Sequence, residues 1–141
     1  MKRLLVLAMT AALTVSMGYA NQPNTKVIIP VNRTDATSGK QMYTGYCAPC
    51  HGVDGSGNGN YSPVLKLHPT DLTVLCKNNH GKFPDAHIAS VLMNGVDTPA
   101  HGSPEMPVWG PILAKMSQGN VQDRLLRISN LSRYLETLQV K

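Results

Sequence analysis

The chain has no run of lysine or arginine and no basic patch interleaved with aromatic residues, which excludes nucleic acid as the expected partner. No segment after residue 20 is apolar enough to span a bilayer. Internal repeats are absent, and so is a second Cys-x-x-Cys-His sequence, so one domain with one site is expected. Strand-like alternation is almost missing, which leaves an all-α fold class. Only three cysteines occur, Cys47, Cys50 and Cys76, so any chemistry that uses two of them leaves the third over.

What is present begins with a leader. Lys2 and Arg3 precede a short apolar stretch from Leu4 to Val15, and Gly18-Tyr19-Ala20 places small residues where a signal peptidase cuts. Residues 1–20 are therefore expected to be a signal peptide and the protein to be exported. The membrane enters only if that leader stays uncleaved as an anchor. Its removal takes two positive charges and lowers the formal net charge from +5 to +3, a mildly basic balance. No cysteine suited to lipid attachment follows the leader.

The run Cys47-Ala48-Pro49-Cys50-His51 is the attachment signature of a c-type haem. Two thiols spaced this way can each add across a vinyl group, and the adjacent histidine then offers an imidazole nitrogen as the proximal iron ligand. Met106 is the expected sixth ligand, because Glu105-Met106-Pro107-Val108-Trp109-Gly110 is a loop whose prolines hold a thioether without a helix. A thioether favours ferrous iron and closes it to small molecules. His101, five residues earlier, competes for the position, while His68, His80 and His87 are expected on the surface. Met42, Met93 and Met116 are expected as core filler. A structural zinc site built from Cys47, Cys50, Cys76 and His80 is the rival metal reading; export argues against it, since thiols outside the cytoplasm tend to be oxidised. A Cys47–Cys50 disulfide would make a tight ring and leave the Met106 loop without a purpose.

Around these residues, 21–35 is expected to be an extended arm and 36–141 the folded domain. A short helix from residue 36 or 37 to Tyr46 leads into the cysteines, and the glycine-rich stretch His51–Asn60 is an irregular loop. Leu72–Asn78 and Asp85–Met93 are predicted as short helices, started by Thr70-Asp71 and Pro84-Asp85. Four prolines between Thr98 and Pro111 argue against regular structure there. After a capping sequence at Asn120-x-x-Asp123, the apolar positions Val121, Leu125, Ile128, Leu131, Leu135 and Leu138 mark one face of a long last helix.

These motifs resemble the small soluble class I cytochromes c, in particular bacterial mono-haem ones, from about Ala36 to Gln139. Gly39 and Tyr43 stand eight and four residues before Cys47, the pattern by which that family's first helix crosses its last, and Tyr134 looks like the aromatic partner. The resemblance implies short helices around one covalently bound haem c, electron transfer with larger redox proteins as donor and acceptor, a monomer, and a periplasmic location. It implies a carrier without substrate turnover of its own; a subunit of a larger oxidoreductase and an open-site sensor or peroxidatic enzyme are the alternatives. Family members often carry Gly-Pro after the glycine loop, where a carbonyl takes the proximal histidine's ring N–H. Here Asn60 follows Gly59, so a carbonyl between Asn60 and Pro63 is expected in that role. Cys76 is read as a small buried apolar residue, or as a reactive thiol able to link two copies. Trp109 is read as packing on the haem edge, bonding a propionate or filling the core. Phe83 and Tyr61 are candidates for the pocket lining.

Overall fold

The computed structural model describes residues 30–95 and 106–140, and within them every regular element is helical. The leader, most of the expected arm and His101 lie outside these residues. Helix α1 (Gly39–Met42) begins where Ser38 accepts the Gln41 N–H, and it runs without a break into a π-helical turn, Tyr43–Cys47. Helix α2 (Ala48–His51) follows, with Pro49 in its first turn, where no N–H is needed. Two 3₁₀ turns, Ser62–Val64 and Leu72–Val74, lead to α3 (Leu75–Asn78). The remaining helices are α4 (Asp85–Asn94), α5 (Trp109–Met116) and α6 (Val121–Thr137).

Helix α5 corrects the expectation that the proline-rich stretch up to Pro111 is irregular. Pro111 is its third residue, still inside the turn whose N–H groups have no intrahelical acceptor, so the ring costs no hydrogen bond. A proline-rich window reads as a helix breaker, but at a helix start the same residue is a starter.

Helix α6 is the spine, packing against α1, α4 and α5. Asn120 caps it by accepting the Asp123 N–H at 3.1 Å. Its buried face comprises Ile128, Leu131 and Leu135 with Ser132 and Arg127. Val121 and Leu125, expected on that face, are instead exposed by 53% and 43%. The start of α6 is thus less covered than its middle, so periodicity alone overstates the buried stripe. Arg127 is buried and replaces them in chemistry: Nε donates to Asp123 at 2.9 Å, and an Nη donates to the Thr34 carbonyl at 2.9 Å. With Asn130 donating to the Ala36 carbonyl, it fastens residues 34–36 to α6.

The crossing of α1 on α6 requires glycine. A Cβ at Gly39 would collide with the Asn130 carbonyl and come within 2.9 Å of Tyr134 Cβ. Tyr43 stacks obliquely on Tyr134 with centroids 5.2 Å apart, the aromatic pairing anticipated from the sequence. Burial pushes the Tyr43 phenol pKa up, and its hydroxyl donates to the Gly52 carbonyl at 2.7 Å. Tyr43→Phe leaves that buried carbonyl without a donor, so a loss of about 1–2 kcal/mol in unfolding free energy is expected, read from denaturant titration.

Candidate functional site

The first three candidate residues lie on one continuous stretch of helix. Cys47 ends the π-helical turn and is buried, while Cys50 and His51 close α2 and are half-buried. A π turn takes in one more residue than an α turn, and such turns recur at functional sites. Cys47, Cys50 and Cys76 take part in no disulfide. Burial, with the neighbouring Cys50 charge, pushes the Cys47 thiol up to about 12, so it stays protonated in the folded chain.

The chain then folds back under α2. Gly57 donates to the His51 carbonyl at 2.8 Å, Gly59 to the Cys50 carbonyl at 3.1 Å, and Tyr61 to the Pro49 carbonyl at 2.9 Å. These three bonds satisfy the carbonyls at the end of a four-residue helix that cannot satisfy its own. On its outer side the glycine loop meets residues 68–72. Leu72 donates to the Gly55 carbonyl at 2.7 Å, and a Cβ at Gly57 would lie 2.5 Å from the Pro69 carbonyl oxygen. Gly57 also has φ +90, a left-handed conformation that side chains resist. Glycine is therefore what lets residues 68–72 approach α2.

That approach delivers the orienting carbonyl. His51 Nδ1 donates to the Thr70 carbonyl at 3.0 Å, which replaces the expected carbonyl between Asn60 and Pro63. A carbonyl only accepts, so the proton sits on Nδ1 and the Nε2 lone pair is left available. Burial lowers the His51 pKa against the opposing pull of that hydrogen bond, which keeps the ring neutral. Asp71 steadies the turn that presents the carbonyl by accepting from the Thr73 N–H at 2.8 Å and its hydroxyl at 2.6 Å. The side-chain signal for this was Asp71, three residues before Val74 in a capping arrangement. The carbonyl itself carries no residue identity and could not be read.

Met106 is half-buried and packs against the cluster that contains Met42, Tyr43, Tyr46 and Cys47. Leu72, Leu75, Phe83 and Met93 pack against the same cluster, each only partly covered. Trp109 is buried in the cluster itself, stacked on Tyr46 with centroids 5.4 Å apart. Tyr46 drew no notice as a sequence position, although its place directly before Cys47 was a signal. His68, His80 and His87 are exposed. Among the described residues no three histidine, cysteine or acidic side chains converge, so Cys47, Cys50, Cys76 and His80 are not gathered into a zinc site. Cys76 is half-buried on α3, and its backbone N–H donates to Gln139 at 2.9 Å.

Two thiols three residues apart, a neutral imidazole with its Nδ1 proton engaged, and a thioether on the same apolar cluster fit the requirements of a covalently held haem. Comparison with known proteins points the same way. Cytochrome c-554(547) of Halothiobacillus neapolitanus is 29% identical over 105 residues, covering 74% of this chain and 98% of the relative. A family model described as cytochrome c oxidase, cbb3-type, subunit III matches residues 34–123, which include α1, the π turn, the glycine loop and α5. On that match the chain belongs to this family of c-type cytochromes, and covalently bound haem c is the cofactor that membership implies.

Proposed function

We propose that this is an exported, periplasmic carrier of single electrons, with Cys47 and Cys50 forming the thioethers, His51 the proximal ligand and Met106 the distal one. The carrying observation is the His51–Thr70 hydrogen bond directly after the second cysteine. It fixes the tautomer, aims Nε2 away from the carbonyl and raises the basicity of the ring. Bound here, haem c supplies an iron that alternates between ferric and ferrous states. The chain's own contribution would be to hold His51 and Met106 in place whatever the oxidation state, which would keep reorganisation small. Cys47 at the end of the π turn and Cys50 in α2 would tether the group, and the apolar side chains Leu72, Leu75, Phe83 and Met93, packed on the same cluster, would shield it from water. With Met106 as a ligand the iron would offer no open site to a substrate, the arrangement a carrier without turnover of its own would use.

Larger redox proteins are the partners this reading implies, met in small and weak encounters. Among the described residues no helix is long and apolar enough to cross a membrane. The family description favours a second reading, in which the domain relays electrons as a subunit of a larger oxidase. Co-purification with a larger redox complex separates it from a free carrier.

The visible spectrum of the protein made in a host with c-type haem maturation tests the assignment. A sharp reduced α-band with a weak far-red ferric band, the signature of methionine sulfur on iron, is expected. In Met106→Ala the far-red band is expected to vanish, the reduction potential to fall and carbon monoxide to bind the reduced protein. A far-red band that survives in Met106→Ala rules Met106 out. Covalent haem with no far-red band in the wild type moves the ligand to His101 or to an open iron.

A further inference from the structure

Tyr46 joins two parts of the molecule that the function needs to keep in register. On one side it precedes Cys47 by a single residue and lies within the π-helical turn. On the other its ring stacks on Trp109, the first residue of α5, at 5.4 Å and 26° between planes. Its hydroxyl lies 3.2 Å from the Met116 sulfur, at the last residue of the same helix. One side chain thus grips α5 at both ends.

The hydroxyl is itself held. It donates to the Asn32 carbonyl at 2.6 Å and pairs with the Thr34 hydroxyl at 2.8 Å. Thr34 is in turn bound through its carbonyl by Arg127 at 2.9 Å. Tyr46 is 2% exposed, so these bonds form where water offers no substitute. Trp109, at 3% exposure, is equally enclosed.

Met106 precedes Trp109 by three residues, and three residues of extended backbone reach no more than about 10 Å. Fixing Trp109 therefore confines Met106. Two further contacts brace the same segment. Val108 packs on Gly95, where an added Cβ would lie 2.9 Å from its methyl, and Gly110 sits directly on the Met93 carbonyl. Those contacts tie the segment to the end of α4, whereas Tyr46 ties it to the turn that carries Cys47.

We infer that Tyr46 is a positioning residue for the distal ligand: through Trp109 and Met116 it holds α5, and thereby the Met106 thioether, against the segment that carries the cysteines. The inference rests on the assignment of Met106 as distal ligand. A tyrosine that merely filled the core would contribute stability and nothing to the hold on the methionine.

The test is displacement of the methionine from ferric protein by added imidazole, followed at the far-red band in the holoprotein. Tyr46→Leu removes both ring and hydroxyl, and Tyr46→Phe keeps the ring alone. Leu135→Val, a core truncation near the C-terminal end of α6, is the control for general loss of stability. Tyr46→Leu is expected to bind imidazole about tenfold more tightly than wild type, and Tyr46→Phe about threefold, with Leu135→Val unchanged. Wild-type affinity in both Tyr46 variants overturns the inference, as does an equal shift in Leu135→Val. If Tyr46→Leu fails to retain haem, Tyr46→Phe decides alone. A wild-type spectrum without the far-red band removes the Met106 assignment first and this inference with it. A normal band that Tyr46 variants do not weaken removes only this inference.

Discussion

Gly39→Val is expected to lower the unfolding free energy by about 4 kcal/mol and the melting temperature by roughly 15 °C. The cause is backbone contact. The first atom added at residue 39 meets the carbonyl of Asn130 and the Cβ of Tyr134, and neither can swing away as a flexible side-chain tip would. Helix α1 must therefore lift from α6, which loosens the covered faces of Met42, Tyr43, Leu131 and Leu135 together. Gly39→Ala brings the same first atom and is expected to cost about 3 kcal/mol. Gly45→Ala is the internal comparison, because a Cβ there meets nothing within 4 Å. It is expected to be neutral or to stabilise by about 0.5 kcal/mol, since alanine loses less backbone freedom on folding. Thermal unfolding of the three variants, followed by circular dichroism, checks the order. A Gly39→Ala protein as stable as Gly45→Ala would show that the crossing does not need glycine.

That crossing was expected through the family resemblance, which Gly39, Tyr43 and Cys47 carry at intervals of four residues. The long last helix was legible from the residues themselves, through a capping asparagine and a repeating apolar face. Its start differs from that pattern because Val121 and Leu125 keep the apolar period yet are exposed, and periodicity does not report which positions a neighbour covers. Helix α5 was missed because proline has two meanings that only position in the helix separates. The π turn leaves no trace in residue type at all. The Thr70 carbonyl was out of reach for a different reason. It stands 19 residues from His51, belongs to the backbone, and arrives there only because Gly55 and Gly57 let two loops touch. Local pattern thus exposes side-chain donors and helix faces, whereas contacts between loops depend on backbone atoms that every residue shares.

The largest change in the site itself is expected from His51→Ala. Loss of the imidazole should abolish the sharp low-spin α-band of the reduced protein and the far-red ferric band together, because a lone thioether is a weak neutral donor that does not keep iron low-spin. The Thr70 carbonyl would also lose its partner, but it lies near the surface and water can replace the bond, so the fold should lose no more than about 1–2 kcal/mol. The spectroscopic loss would therefore far exceed the structural one. Acid should imitate the variant only at low pH. Burial disfavours the charged ring and holds the His51 pKa below its ordinary value of about 6.5, so the ring is already neutral and ready to ligate through the usual histidine range, and coordination to iron would oppose protonation further. Protonation, when it comes, must place a charge in a covered position, and ligand loss and loosening of the loop at Thr70 should coincide. An acid titration of the α-band and of circular dichroism reads both. Loss of the α-band centred near pH 6.5 would show that burial and coordination together do not protect the ring, and an unchanged α-band in His51→Ala would show that another residue holds the proximal face.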